Sequence, residues 1–162
     1  MVISEAHIKD ILLEVSDPEI PVLSIMDMGI VRDIRIGTDD LEIDITPTYS
    51  GCPAMDTISV DIVKKLEEYG IKATVKLVLA PAWTTDWITE RGRKALEDYG
   101  IAAPLSDSKD KLALLGQKRM VKCPNCGSTN TVMVSQFGST ACKALFKCED
   151  CLEPFDYFKC LK

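Results

Sequence analysis

The chain reads as an α+β protein in two parts, a small αββαβα domain with a mixed three-stranded sheet and then a short all-β module. Three observations predict this. Apolar residues recur first at helical spacing (Ile8, Ile11, Leu12, Val15), next at alternate positions (Leu41, Ile43, Ile45), and again at helical spacing (Met55, Ile58, Ile62, Leu66). Six of the seven cysteines fall in the last 40 of 162 residues. Those six include Cys123-x-x-Cys126 and Cys148-x-x-Cys151, the spacing of a four-thiolate metal site.

Ser4 suits the cap of the first helix, which Pro18 and Pro21 forbid from continuing past Asp17. Ile30–Ile36 reads as a strand, and 37–40 (Gly-Thr-Asp-Asp) as a turn. Leu41–Ile45 alternates apolar with Glu42 and Asp44, a half-buried second strand paired with the first as a hairpin. Pro53 fits the first position of a second helix that stops at Gly70. Thr74–Leu79 is a third strand, and a strand–helix–strand order implies a right-handed crossover and parallel pairing. A helix from Thr85 to Tyr99, ended by Gly100, completes a domain over residues 1–100. Residues 101–118 read as a linker in which Leu112, Leu114 and Leu115 form at most one helical turn. The module over 119–162 carries short strands at Thr131–Val134, Ala141–Phe146 and Phe155–Phe158.

Composition narrows the function classes. Hydrophobic residues make up 46% of the chain and charged residues 27%, enough for one core and a soluble surface. No apolar run approaches the roughly 20 residues that span a bilayer, and the N-terminus lacks the pattern of a signal peptide. These features lead us to expect a cytoplasmic protein with no membrane partner, where CxxC pairs bind metal rather than form disulfides. Residues 1–118 carry a net charge of −8 and residues 119–162 a net +2. Four thiolates on a divalent ion add about −2, since each ligand is deprotonated. A neutral tail on an acidic body offers little counterion release against phosphate, which argues against nucleic acid.

The two late knuckles, Cys123-Pro124-Asn125-Cys126 and Cys148-Glu149-Asp150-Cys151, are separated by 21 residues, room for a hairpin. This is the pattern of a zinc ribbon. Tetrahedral thiolate sites suit Zn²⁺, and iron in a rubredoxin-like site shares the motif. A structural role for the metal is expected, because so short a segment buries too little core to fold alone. Cys142 and Cys160 read either as small buried hydrophobes or as additional sulfur ligands.

Cys52 stands apart in Thr46-Pro47-Thr48-Tyr49-Ser50-Gly51-Cys52-Pro53. Placed at a helix cap by Pro53, its sulfur is expected to meet unpaired N–H groups and the positive end of a helix dipole, which favour a thiolate. Gly51 allows close approach, while Thr46, Thr48, Tyr49 and Ser50 supply hydroxyls. Asp17 and Glu19 either turn the chain or assist metal capture beside Cys52. Hydrolytic catalysis would require a histidine base, and the one histidine, His7, belongs on the surface of the first helix. Trp83 and Trp87, four apart, fit one helical face and read either as core residues or as a binding surface.

Asp17-Pro18-Glu19-Ile20, Met28-Gly29-Ile30-Val31 and Thr46-x-Thr48 with Gly51-Cys52-Pro53 resemble the cytosolic Fe–S assembly family that includes SufT. In that family the Cys-Pro cysteine is the functional residue, a role that passes by resemblance to Cys52. Leu79–Trp87, Ser135–Lys143 and Glu153–Cys160 resemble the PaaD family of phenylacetyl-CoA epoxidase accessory proteins. The resemblance implies an accessory of aerobic phenylacetate degradation that matures the oxygenase or the reductase component of the epoxidase, with iron or an Fe–S cluster held transiently at Cys52. It also places Cys142 and Cys160 within characteristic segments. No Glu-x-x-His pair for a di-iron site and no phosphate-binding glycine loop are present, so the chain is not expected to be an enzyme itself. The alternative is a structural adapter docking through the ribbon. Whether the chain is a homodimer stays open.

Overall fold

The computed structural model describes residues 3–105 and 121–159. Two compact units divide the chain, Met1–Trp83 and Thr84–Lys162.

In the first unit, helix α1 (Glu5–Leu12) is capped by Ser4, whose Oγ accepts from the His7 backbone N–H at 3.2 Å. It buries Ile8, Ile11 and Leu12 and stops before Asp17. Strands β1 (Val31–Ile36) and β2 (Leu41–Ile45) form the expected antiparallel hairpin, and β3 (Thr74–Leu77) pairs parallel to β2. The mixed sheet runs β1-β2-β3. Leu41, Ile43 and Ile45 are buried, and helix α2 (Ala54–Glu68), packed against α1 and β3, buries Ala54, Met55, Ile58, Ile62 and Leu66. Each large apolar side chain among them contributes about 1.5–3 kcal/mol on burial. On the opposite sheet face Arg35 bridges Asp33, Glu42 and Asp44 at 2.7–3.2 Å, an exposed network worth little individually.

Several elements differ from expectation. The third strand ends at Leu77 rather than Leu79, and the strand expected over Ala141–Phe146 runs Lys143–Cys148. Pro53 is the residue before α2, not its first, so Cys52 lies one step further from the helix than the sequence suggested. The helix expected over Thr85–Tyr99 is two pieces: a 3-10 turn (Thr85–Trp87) and helix α3 (Glu90–Tyr99). Thr89 breaks them by capping α3, its Oγ1 accepting from Gly92 N–H at 3.0 Å. Trp83 and Trp87 therefore share no helix. Trp83 is buried, donating its indole N–H to the Met28 carbonyl at 2.9 Å, and Trp87 is half-buried.

In the second unit, α3 closes at Gly100, whose φ of 92° requires glycine. Ile101–Ala102, expected within a linker, form strand β4 and pair parallel with β7 (Pro154–Phe158). With β5 (Thr131–Ser135) and β6 (Lys143–Cys148) they build a four-stranded sheet ordered β4-β7-β6-β5. Arg93 of α3 donates to the Pro104 and Thr85 carbonyls at 2.6 and 2.8 Å. Those bonds and the β4 pairing explain why α3 groups with the ribbon rather than with the first domain. The ribbon core is Ala102, Val121, Cys123, Ala144, Phe146, Cys148, Phe155 and Tyr157. The remainder of the expected linker, with Leu112, Leu114 and Leu115, lies outside the described residues.

Candidate functional site

The metal centre follows directly from the two knuckles. Cys123 N–H donates to Ser128 O and Gly127 N–H to Cys123 O at 2.8 and 2.9 Å, curling the first knuckle round its own sulfurs. Gly127 has φ 77°, and Leu152, one residue after Cys151 in the second knuckle, has φ 65°. The turn thus takes the same left-handed form twice, once with glycine and once with a β-carbon that resists it. The four sulfurs of Cys123, Cys126, Cys148 and Cys151 lie within 4.8 Å of one another. Cys123–Cys151 and Cys126–Cys148 are separated by 3.8 and 3.5 Å. Metal–sulfur bonds of about 2.3 Å put the edge of a sulfur tetrahedron at about 3.8 Å, so the donor set fits a tetrahedral ion.

Residues not anticipated from the sequence support this centre. The Asn125 amide donates to Cys151 Sγ at 3.6 Å across the two knuckles. Asp150 accepts from Ser128 Oγ and from Asn130 Nδ2, which pulls its carboxyl below the usual range and clamps one knuckle to the other. Their signal was position alone: polar residues inside or just after each CxxC. Asn125 and then the Glu153 N–H bring the Cys151 thiol down to about 7. The Ser128 N–H favours the Cys126 thiolate, but desolvation and hydrogen bonds shared with the other three thiols push Cys126 up to about 12. A divalent ion bound here would supply the charge that favours deprotonated ligands.

Cys142 is buried, its sulfur 3.0 Å from Thr140 Oγ1, and it is not among the four sulfurs gathered at this centre. Cys160 lies outside the described residues.

The Cys52 loop is built differently. Thr46 leaves β2 fully buried, its N–H bonded to Ile30 O at 3.0 Å, and Thr48 and Tyr49 are half-buried. Gly51, exposed with φ 75°, turns the chain so that Cys52 N–H reaches Tyr49 O at 3.3 Å. Cys52 itself is half-buried. Asp17 is buried and accepts from the Glu19 and Ile20 N–H groups at 2.7 and 3.0 Å, so it does turn the chain. It and Glu19 are also close enough to act electrostatically on Cys52. The expected thiolate does not follow. Burial pushes the Cys52 thiol up, and Glu19 and Asp17 add to it. The Ala54 N–H at the helix start and the Tyr49 side chain pull the other way and lose. Cys52 therefore holds its proton more firmly than an exposed thiol does. His7 is half-buried, edge-on to Tyr69 at 6.1 Å, rather than a free surface residue.

Among the described residues no helix is long and apolar enough to cross a membrane. Residues 5–77 match the family model of iron-sulfur cluster assembly proteins, and residues 107–159 that of the PaaD zinc beta ribbon domain. Over 90 residues (54% of the chain, 85% of the relative) it is 34% identical to an "Fe-S protein maturation auxiliary factor" of Porphyromonas gingivalis (strain ATCC BAA-308 / W83). Among solved structures, a domain of unknown function (DUF59) from Bacillus anthracis superposes with a TM-score of 0.53 at 27% identity, over 57% of this chain and 90% of that one. The chain is 47% identical over 152 residues, 93% of its length and 90% of the relative's, to a "Putative 1,2-phenylacetyl-CoA epoxidase" subunit of Escherichia coli (strain K12). It belongs to the PaaD family of phenylacetyl-CoA epoxidase subunits, in which an Fe–S assembly domain is joined to a zinc ribbon.

Proposed function

We propose that this protein is a non-catalytic maturation factor of phenylacetyl-CoA epoxidase, a ring-epoxidising monooxygenase of aerobic phenylacetate degradation in the cytoplasm. It carries iron or an Fe–S cluster on Cys52 toward the oxygenase or reductase component. The carrying observation is the setting of Cys52. Its sulfur is half-buried with Asp17 and Glu19 acting on it, within the segment matched by the assembly-protein model, and it is not one of the four clustered ribbon sulfurs. A soft thiolate with nearby hard carboxylates suits iron held briefly. The proton that Cys52 retains when empty is displaced on loading, which makes capture stronger as pH rises. The names of the two relatives support the reading, one belonging to the epoxidase and the other a maturation factor. Zn²⁺ on Cys123, Cys126, Cys148 and Cys151 is the structural ion, a role consistent with the family model of the ribbon.

The test is epoxidase purified from cells carrying Cys52→Ser in this protein. Under-filled metal sites in the oxygenase or reductase are expected, with this protein folded and abundant; normal metal content would reject the reading. A second reading, a structural adapter, draws on strand β5. Val132, Met133, Val134 and Phe137 are 42–63% exposed on an edge of the ribbon sheet. Cys123 through Cys142 carry no charge, and although Lys159 lies over the Phe137 ring, Val132–Val134 offer a largely apolar template for a partner strand. If adaptation is the whole function, Cys52→Ser is silent and Cys151→Ser abolishes association.

A further inference from the structure

The segment from Leu77 to Trp83 is strung across the end of the sheet from which the Cys52 loop emerges. β2 and β3 are parallel with Ile45 opposite Leu77, so the chain leaves both strands at the same end. Val78 N–H donates to the Ile45 carbonyl at 2.8 Å, tying one end of the segment to the start of the Thr46–Cys52 loop. The Trp83 indole, bonded to Met28 O at 2.9 Å, ties the other end to the turn before β1. Between those anchors Leu79, Ala80, Pro81 and Ala82 are all exposed. Leu79 is 68% exposed, the most of any exposed large hydrophobic among the described residues, and Leu77 is 54%. No charge occurs from Leu77 to Thr85. Connecting segments in water are ordinarily polar, and a contiguous apolar rim marks an interaction site.

We infer that this strap is the docking surface for the protein that receives metal from Cys52, an inference that rests on the transfer reading above. For the cargo to pass, the recipient's ligands must come within bonding distance of Cys52, and its surface then covers this end of the sheet. The uncharged strap matches an apolar, uncharged rim around the recipient's metal-binding groups. Covering it removes water from a thiol that is already partly desolvated. A second copy of this chain is a poorer occupant, since two facing Cys52 loops would oppose the Asp17 and Glu19 carboxylates of each.

Binding is measured between this protein and each of the other purified components of phenylacetyl-CoA epoxidase from the same source. Leu79→Glu and Ala82→Glu place a charge on the strap at exposed positions, and Val134→Glu does so on the exposed ribbon edge. Unchanged circular dichroism and an unchanged rate of Cys52 alkylation establish that the variants are folded. Each strap variant is expected to raise the Kd for at least one component by about tenfold or more, while Val134→Glu leaves it within about twofold. Unchanged binding by both strap variants overturns the inference, as does a wild type that binds no component. A wild-type dimer that Leu79→Glu converts to a monomer also overturns it, by assigning the strap to a second copy. Cys52→Ser separates the two readings: it keeps full binding and loses metal delivery if both hold. If it delivers metal normally, the transfer reading fails whatever the strap does.

Discussion

Cys52 and the four ribbon cysteines carry the same functional group in opposite circumstances. In the ribbon, two glycine-like turns, the Asn125 amide and the Asp150 clamp bring four sulfurs to tetrahedral spacing. The ligands are each other's neighbours, and the small core of Phe146, Phe155 and Tyr157 is built around them. At Cys52 one sulfur stands with hydroxyls and carboxylates, half-buried, on a loop between a strand and a helix. Under the proposed function, the enclosing sulfur set is the one that holds an ion, and the single sulfur with carboxylates beside it is the one that takes an ion up and releases it.

The largest effect expected from this contrast is on the ribbon. Removing the ion with a strong chelator, or replacing Cys148 by Ser, should collapse the amide dispersion of β5, β6 and β7 in an NMR spectrum. Cys52→Ser protein, with its ion left in place, should look like wild type. Loss of dispersion in β1–β3 instead would break the comparison. Next in size is Trp83→Phe, which leaves the Met28 carbonyl without its buried donor. A loss of about 1–2 kcal/mol in denaturant unfolding is expected, with ribbon metal content unchanged.

Smaller effects sharpen the comparison at each site. Glu19→Gln removes one of the charges that raise the Cys52 thiol, so its folded pKa should fall. Iodoacetamide should then label Cys52 faster at neutral pH, with the rate profile displaced to lower pH; an unmoved profile would remove Glu19 from the site. Asp150 works in the other direction. Its folded pKa is depressed, so the clamp stabilises the ribbon above the ordinary carboxylate range, and that contribution is lost as pH falls through the folded value. Asp150→Asn should flatten that acid limb of the ribbon's stability curve. Least of all, Leu152→Gly should relieve a left-handed residue and stabilise the ribbon by about 1 kcal/mol in thermal melts.

Much of this arrangement was legible in the chain. The alternation of Leu41, Ile43 and Ile45 with Glu42 and Asp44, the Ser4 cap and the Gly100 stop are local signals, and local structure obeys them. The four metal-site cysteines announce themselves by spacing because both halves of each knuckle are three residues apart. What escaped was set by distant partners. Ile101–Ala102 are a strand only because β7 lies beside them, and Arg93 ties α3 to Pro104, just after that strand. Thr89 caps a new helix where the apolar pattern alone ran on from Thr85. The thiolate expected at Cys52 fails for the same kind of reason. The helix N–H is present, but burial together with Glu19 and Asp17, from a distant turn of the chain, outweighs it.

The division between a holding site and a passing site is tested most directly by metal analysis after anaerobic purification of wild type and Cys52→Ala, each then incubated with apo-epoxidase. One tightly held ion per chain should survive in both proteins, and only the wild type should fill the epoxidase with iron. A Cys52→Ala protein that has lost its tightly held ion, or that loads the epoxidase as well as wild type, would contradict the division.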